Sequence, residues 1–249
     1  FIFKDKISLK NIQLNDAIIN MNRTDSVWNY QFLVDFFATP NDPNKKKKQN
    51  LEIDLRQIHF TNIHFTKADY WIGQSLVASL KKFDLLMDSL NFNTKRVAIK
   101  EVYLSEPQFW QSNFTGKRPP QPDIREVLEK IPVISAFKWN NSGWVVTTKK
   151  ITVDNGSFRS DKETERPVFD DKFDGQHIYF SGISGTIENL QFLNDTLAAS
   201  IHLSAKERCG LEVKKLKSDM RFTPDEMVFN HLDLQTNNST LGDYYAMRY

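Results

Sequence analysis

The feature that most constrains this chain is a phase slip. In Ile53-Asp54-Leu55-Arg56-Gln57-Ile58-His59-Phe60-Thr61-Asn62-Ile63-His64-Phe65 the apolar residues fall in pairs, Ile53/Leu55, Ile58/Phe60 and Ile63/Phe65. Each pair has the period of two that marks a β-strand. Successive pairs start an odd number of residues apart, so a regular strand would turn every second pair to the opposite face. One extra residue per five restores a common face. The spacing therefore predicts a β-bulge or tight kink after Leu55 and another after Phe60, bending the strand toward its apolar side.

The pattern recurs. Ile7/Leu9, Ile12/Leu14 and Ala17/Ile19 have the same spacing, as do Val97/Ile99 and Val102/Leu104, with Pro107 in the next slot and Phe109 completing it. Val146/Thr148, Ile151/Val153 and Gly156/Phe158 repeat it with small or polar residues at two positions, and Met227/Phe229 with Leu232/Leu234 form a last copy that runs out into Asn237 and Ser239. The first four copies start roughly 45 residues apart, a period that belongs to repeat architectures rather than to one closed globule. An ordinary β-sandwich supplies the alternation but not the slip. The expected fold is mainly β: an elongated, curved, taco-like repeat sheet with an apolar concave face and a few short helices, running as one continuous trough over residues 1–249. Loop insertions are expected near 39–50, 115–123 and 160–173.

Composition agrees with exposed apolar surface. Nineteen Phe stand against nine Gly, and the formal charge of +2 gives no bulk attraction to nucleic acid. The single cysteine, Cys209, excludes an internal disulfide framework. No apolar run reaches the length that spans a bilayer. The chain begins on strand-like Phe1-Ile2-Phe3, and the reading is a piece of something longer, with targeting and anchoring segments outside it.

Between the copies, Phe32/Leu33 and Phe36/Phe37 lie at helical spacing and Pro40 stops them, predicting a short helix that plugs one side of the sheet. Lys45 to Lys48 follow turn formers and read as a solvated linker. Leu76–Leu80, Phe83–Leu85 and Leu90–Phe92 read as separate antiparallel strands, as do Leu190/Phe192, Leu197/Ala199 and Ile201/Leu203. Asp123 is a candidate N-cap for a helix through Glu129. Trp139 and Trp144 flank Asn140-Asn141-Ser142-Gly143 and would brace a hairpin.

The search for chemistry is negative. The five histidines lack ligand spacing, and there is no Gly-rich phosphate loop, no Gly-x-Ser-x-Gly elbow and no kinase set. Asp170-Asp171 and Glu163/Glu165 offer paired carboxylates for glycoside chemistry, but in a hydrophilic loop where nothing would raise a pKa. Exposed Trp71 or Trp110 would suit a carbohydrate-binding module. The expectation is no enzyme, no cofactor and no metal.

An apolar sheet face would instead take a lipid tail out of water, at about 0.8 kcal/mol per CH₂ and on the order of 10 kcal/mol for a whole chain. The predicted lining is Ile12, Leu14, Ile58, Phe60, Ile63, Phe65, Val102, Leu104, Ile151, Val153, Leu232 and Leu234. Exposed sheet edges would alternatively template the strands of another chain.

Leu9-Lys10-Asn11-Ile12-Gln13-Leu14-Asn15-Asp16-Ala17, followed by Asp25-Ser26-Val27-Trp28-Asn29-Tyr30-Gln31-Phe32, resembles the amino-terminal half of the TamB family in the AsmA-like superfamily, in the form found in Bacteroidota. Leu232-Asp233-Leu234-Gln235-Thr236-Asn237-Asn238-Ser239-Thr240-Leu241-Gly242-Asp243 is similar to that family's strand ending in Gly-Asp. The resemblance implies a translocation and assembly module protein in the periplasm, anchored to the inner membrane by a segment absent from this chain. It implies phospholipid acyl chains as ligand and an Omp85-class outer-membrane partner, TamA-like or BamA-like, met through regions outside this chain. The implied role is outer-membrane biogenesis, by lipid transport, by assisting barrel assembly or protein secretion, or by both. The family brings no catalytic residues. With it come three candidate O-glycosylation sites, Ser26, Ser89 and Thr196, each after an Asp and before an apolar residue.

Overall fold

The computed structural model describes residues 6–7, 10–37, 52–119, 138–163 and 166–249. In chain order the elements are β1 (Lys6–Ile7), β2 (Asn11–Asn15), β3 (Ile18–Arg23), α1 (Gln31–Phe37), β4 (Glu52–Ile53), β5 (Gln57–Asp69), β6 (Gln74–Asn91) and β7 (Arg96–Ser105). They continue with β8 (Gln108–Asn113), β9 (Val145–Lys162), β10 (His177–Leu193), β11 (Thr196–Glu207), β12 (Glu212–Phe222), β13 (Glu226–Thr236) and β14 (Thr240–Arg248). The fold is mainly β. One 12-stranded sheet runs from β14 through β13, β12, β11, β10, β9, β7, β6 and β5 to β2, with β3 beside β5 and β8 between β6 and β9. β1 and β4 form a separate two-stranded ladder.

Two connections are parallel crossovers, from β3 to β5 and from β8 to β9; from β9 onward the chain is an antiparallel meander. Counted through these pairings, the slipped copies on β2–β3, β5, β7–β8, β9 and β13 all point the same way. That common direction lets equivalent pairs lie side by side.

The slip is written in the backbone. Asp16, Asn62, Glu106, Asn155 and His231 have φ of 53°, 52°, 49°, 53° and 49°, each between two apolar pairs of its copy. L-residues seldom adopt this left-handed conformation, and Asn and Asp tolerate it best, which accounts for three of the five. Asp16 and Asn62 are joined by an Asn62 Nδ2–H to Asp16 Oδ1 bond of 2.8 Å. Because β2–β3 and β5 kink in step, their register is unchanged across the slip, Asn15 facing Thr61 and Ile18 facing His64.

Gly156 proves the common face. A Cβ built there would lie 3.2 Å from Val153 Cγ1 and 3.1 Å from Pro107 Cγ, so positions 153 and 156 point to the same side across Asn155. The crowding also explains the pairing of Pro107 with Gly156: the proline sits at the break between β7 and β8, where no ladder N–H is required, and only a residue without Cβ fits easily against it.

Several expectations are corrected. After Leu55 there is a strand break over residues 54–56 rather than a bulge within a strand. Residues 76–90 lie in one strand, β6, and both Leu197/Ala199 and Ile201/Leu203 lie in β11. Trp139 and Trp144 brace no hairpin, because among the described residues no strand precedes their turn. Asn140 instead clamps the turn on itself, donating from Nδ2 to the Trp144 carbonyl at 2.6 Å and accepting the Trp144 N–H at 2.9 Å. The expected insertion at 160–173 starts inside β9, and Asp174, 3% exposed, pins the following loop through two hydrogen bonds with Arg166 at 2.6 and 2.8 Å. The helix α1 forms where expected, but Phe32 is 67% exposed, so this side chain plugs nothing. The candidate helix from Asp123, the lysine run and the whole of the expected insertion at 39–50 lie outside the described residues.

Candidate functional site

Directly opposed residues of neighbouring strands share a face. By register, Leu14, Phe60, Phe83, Leu104, Val153, Gly185, Leu203, Leu216, Leu234 and Leu241 therefore form one unbroken row across ten strands. The only gap in apolar character is Gly185, where a Cβ would lie 2.0 Å from the His202 carbonyl oxygen. A second row runs Ile12, Ile58, Leu85, Val102, Ile151, Ile187, Ile201. Beyond the kinks a third runs Ile19, Phe65, Ala78, Phe109, Phe158, Phe180, with Phe109 and Phe158 stacked at 5.9 Å.

All twelve residues named from sequence as lining fall on this face. Val102 and Leu232 are buried, at 7% and 6% exposure; the other ten are half-buried or exposed, Leu14 at 37%. In the core of a two-layer sandwich such side chains would be sealed. Among the described residues no large side chain is fully buried. The apolar rows are thus the surface of a single layer.

Sequence reasoning read strands between the copies but missed that they carry the slipped repeat as well. Ala78/Leu80 followed by Phe83/Leu85 on β6, and Ile178/Phe180 followed by Ile183/Gly185 on β10, carry the same five-residue repeat, read on strands of the opposite direction. Gly182, with φ 60°, is the kink between those two pairs of β10.

The opposite face is polar. His59 and Lys82 both engage Asp84, Lys82 at 2.8 Å, and Tyr103 lies beneath Lys82 with its ring centre 5.7 Å from Nζ. These residues line a recess of about 610 Å³. Burial alone would push the Asp84 carboxyl up, but hydrogen bonds from Lys82 and His59 outweigh it and hold it below the usual range. Further along, Asp219 accepts from Ser200 Oγ at 2.6 Å and pairs with His231 Nδ1 at 2.9 Å, and these bonds depress its pKa. Near one strand end Asp161 gathers Trp110 Nε1 at 2.7 Å, Arg159 Nε at 2.6 Å and His177 Nδ1 at 3.1 Å. Trp110 has its face against the Arg159 guanidinium at 4.4 Å. Asp170 is 80% exposed and lies 3.3 Å from Arg208. Among the described residues no group of three or more His, Cys, Asp or Glu is placed to hold a metal ion.

Of the candidate modification sites, Ser26 is exposed in the bend after β3 and Ser89 is exposed on β6. Thr196 is half-buried where β11 starts, and Asp195 before it accepts the Trp139 and Asn140 N–H groups at 2.7 and 2.9 Å. No family model matches the chain, and no curated protein matches it.

Proposed function

We propose that this chain handles lipid: that it is a stretch of a periplasmic β-trough of the TamB/AsmA-like kind, carrying phospholipid acyl chains on its apolar face between the inner and outer membranes. The observation that carries this reading is the row of half-exposed apolar side chains spanning ten strands of one layer. A tail laid on it leaves water for roughly 0.8 kcal/mol per CH₂. Each position along the row resembles the next, which is what sliding needs.

Photocrosslinkers at positions 58, 60 and 104 in cells are expected to capture phospholipid; adducts to nascent barrel strands alone would transfer the face to barrel assembly. That second reading has its own support in β14, whose nine residues are all exposed along a sheet edge.

A further inference from the structure

The two ends of the apolar face differ. At one end Phe92 and Trp144 meet edge to face at 5.9 Å and keep the surface apolar to the turn. At the other end, beyond the row Phe65–Ala78–Phe109–Phe158, the next positions on the same face are Lys67, Leu76, Gln111 and Ser160, followed by Asp69, Gln74, Asn113 and Lys162. The Gln111 Nε2–H to Ser160 Oγ bond of 3.1 Å confirms that these two share a side. A recess of about 140 Å³ lies here, with Lys67, Gln74, Gln111 and Asn113 in its wall.

At this rim the acidic groups are engaged and two lysines are not. Asp69, 3% exposed, is held by Arg23 through two contacts of 2.7 Å, so that pair is neutral as a unit. Glu163 is turned to the Thr115 N–H at 2.6 Å. Lys67 and Lys162 are exposed and have no ion pair among the described residues; Lys67 Nζ rests 5.3 Å from the Trp28 ring centre. Their strands are three apart in the sheet, about 14 Å. Two ammonium groups and the side-chain amides of Gln74, Gln111 and Asn113 make a donor-rich strip directly above an apolar surface.

We infer that this rim seats the phosphate of a glycerophospholipid headgroup, Lys67 and Lys162 supplying charge and the amides hydrogen bonds, while the acyl chain lies along the kinked strands toward Phe92 and Trp144. The inference rests on the lipid reading and gives it a polarity: heads at the β5–β6 turn end of the strands, tails toward the β6–β7 turn. Phosphate is favoured over a neutral headgroup because unpaired ammonium groups next to amides reward a charged acceptor.

The test is binding of the 249-residue chain to lysophosphatidylglycerol, to the monoacylglycerol of equal chain length, and to inorganic phosphate. The Lys67→Gln/Lys162→Gln variant is expected to weaken lysophosphatidylglycerol about tenfold while leaving the monoacylglycerol within about twofold, and Lys67→Arg/Lys162→Arg is expected to bind as the parent does. Unchanged melting of both variants shows that the fold is intact. Equal behaviour of the two amphiphiles toward the glutamine variant overturns the headgroup seat while their binding leaves the lipid reading standing. Binding of neither amphiphile by the parent removes the lipid reading and the seat together. Inorganic phosphate binding as tightly as the lysophospholipid, with the same loss in the variant, assigns the strip to a free anion and overturns the lipid headgroup.

Discussion

The two faces of this sheet are made by the same strands, residue by alternate residue, yet they are held in different ways. On one face Phe60, Leu104 and Val153 lie in register with other apolar residues and stay half in water; on the other, Asp84, Asp219 and Asp161 each collect two or three donors. The polar face is satisfied internally. The apolar face is not, because nothing in the described chain covers it, and an uncovered apolar surface of this extent marks a place where something else binds. The lesson is that local pairing stabilises the layer from behind and leaves the front available.

The comparison breaks most sharply at Val102 and its neighbour. Val102→Asp, placing a charge at a position only 7% exposed, is expected to cost about 3–5 kcal/mol and to lower the melting temperature by roughly 10 °C. Tyr103→Asp, one residue along and on the polar face, is expected to stay within about 1 kcal/mol. Equal losses at the two positions in thermal melts would erase the distinction between faces.

The kink tests the geometry beneath it. Asn62→Ile puts a β-branched residue at φ 52° and is expected to cost about 1–2 kcal/mol in denaturant titrations, whereas Asn62→Gly should be near neutral. A neutral isoleucine would mean that the strand can do without its left-handed residue.

Acid should loosen the rim and the loop before the rows. Asp69 and Asp174 have pKa values depressed chiefly by Arg23 and Arg166 respectively, so each contributes stability that is present above the ordinary carboxylate range and lost as pH falls through the depressed value. Hydrogen exchange below about pH 4 should first reach residues 166–176 and the β5–β6 turn, with β9 and β10 protected longest. The smallest effect is expected from His59→Gln, which removes an exposed partner of Asp84 and should change stability by roughly 0–1 kcal/mol.

Much of the face was legible in the sequence, because its signal is local. Pairs such as Ile58/Phe60 and Ile63/Phe65 carry their own period, and Asn62 between them is the residue type a left-handed kink prefers. Strand ends were less legible: β6 was read as three pieces because Lys81-Lys82 and Asp88-Ser89 interrupt its apolar positions, and only pairing with β5 and β7 makes it continuous. The polar face left no trace, since Asp84 meets His59 from 25 residues away and Asp219 meets Ser200 across a hairpin. Nor did the loop clasp, where Arg166 and Asp174 look like ordinary solvated charges until the chain folds back between them.

The most direct measurement is a photocrosslinking scan through every position from 57 to 67 with labelled phospholipid. The account predicts adducts at 58, 60, 63 and 65 and little between them, the slipped rhythm rather than strict alternation. Labelling at 58, 60, 62 and 64, or equally at all positions, would contradict it.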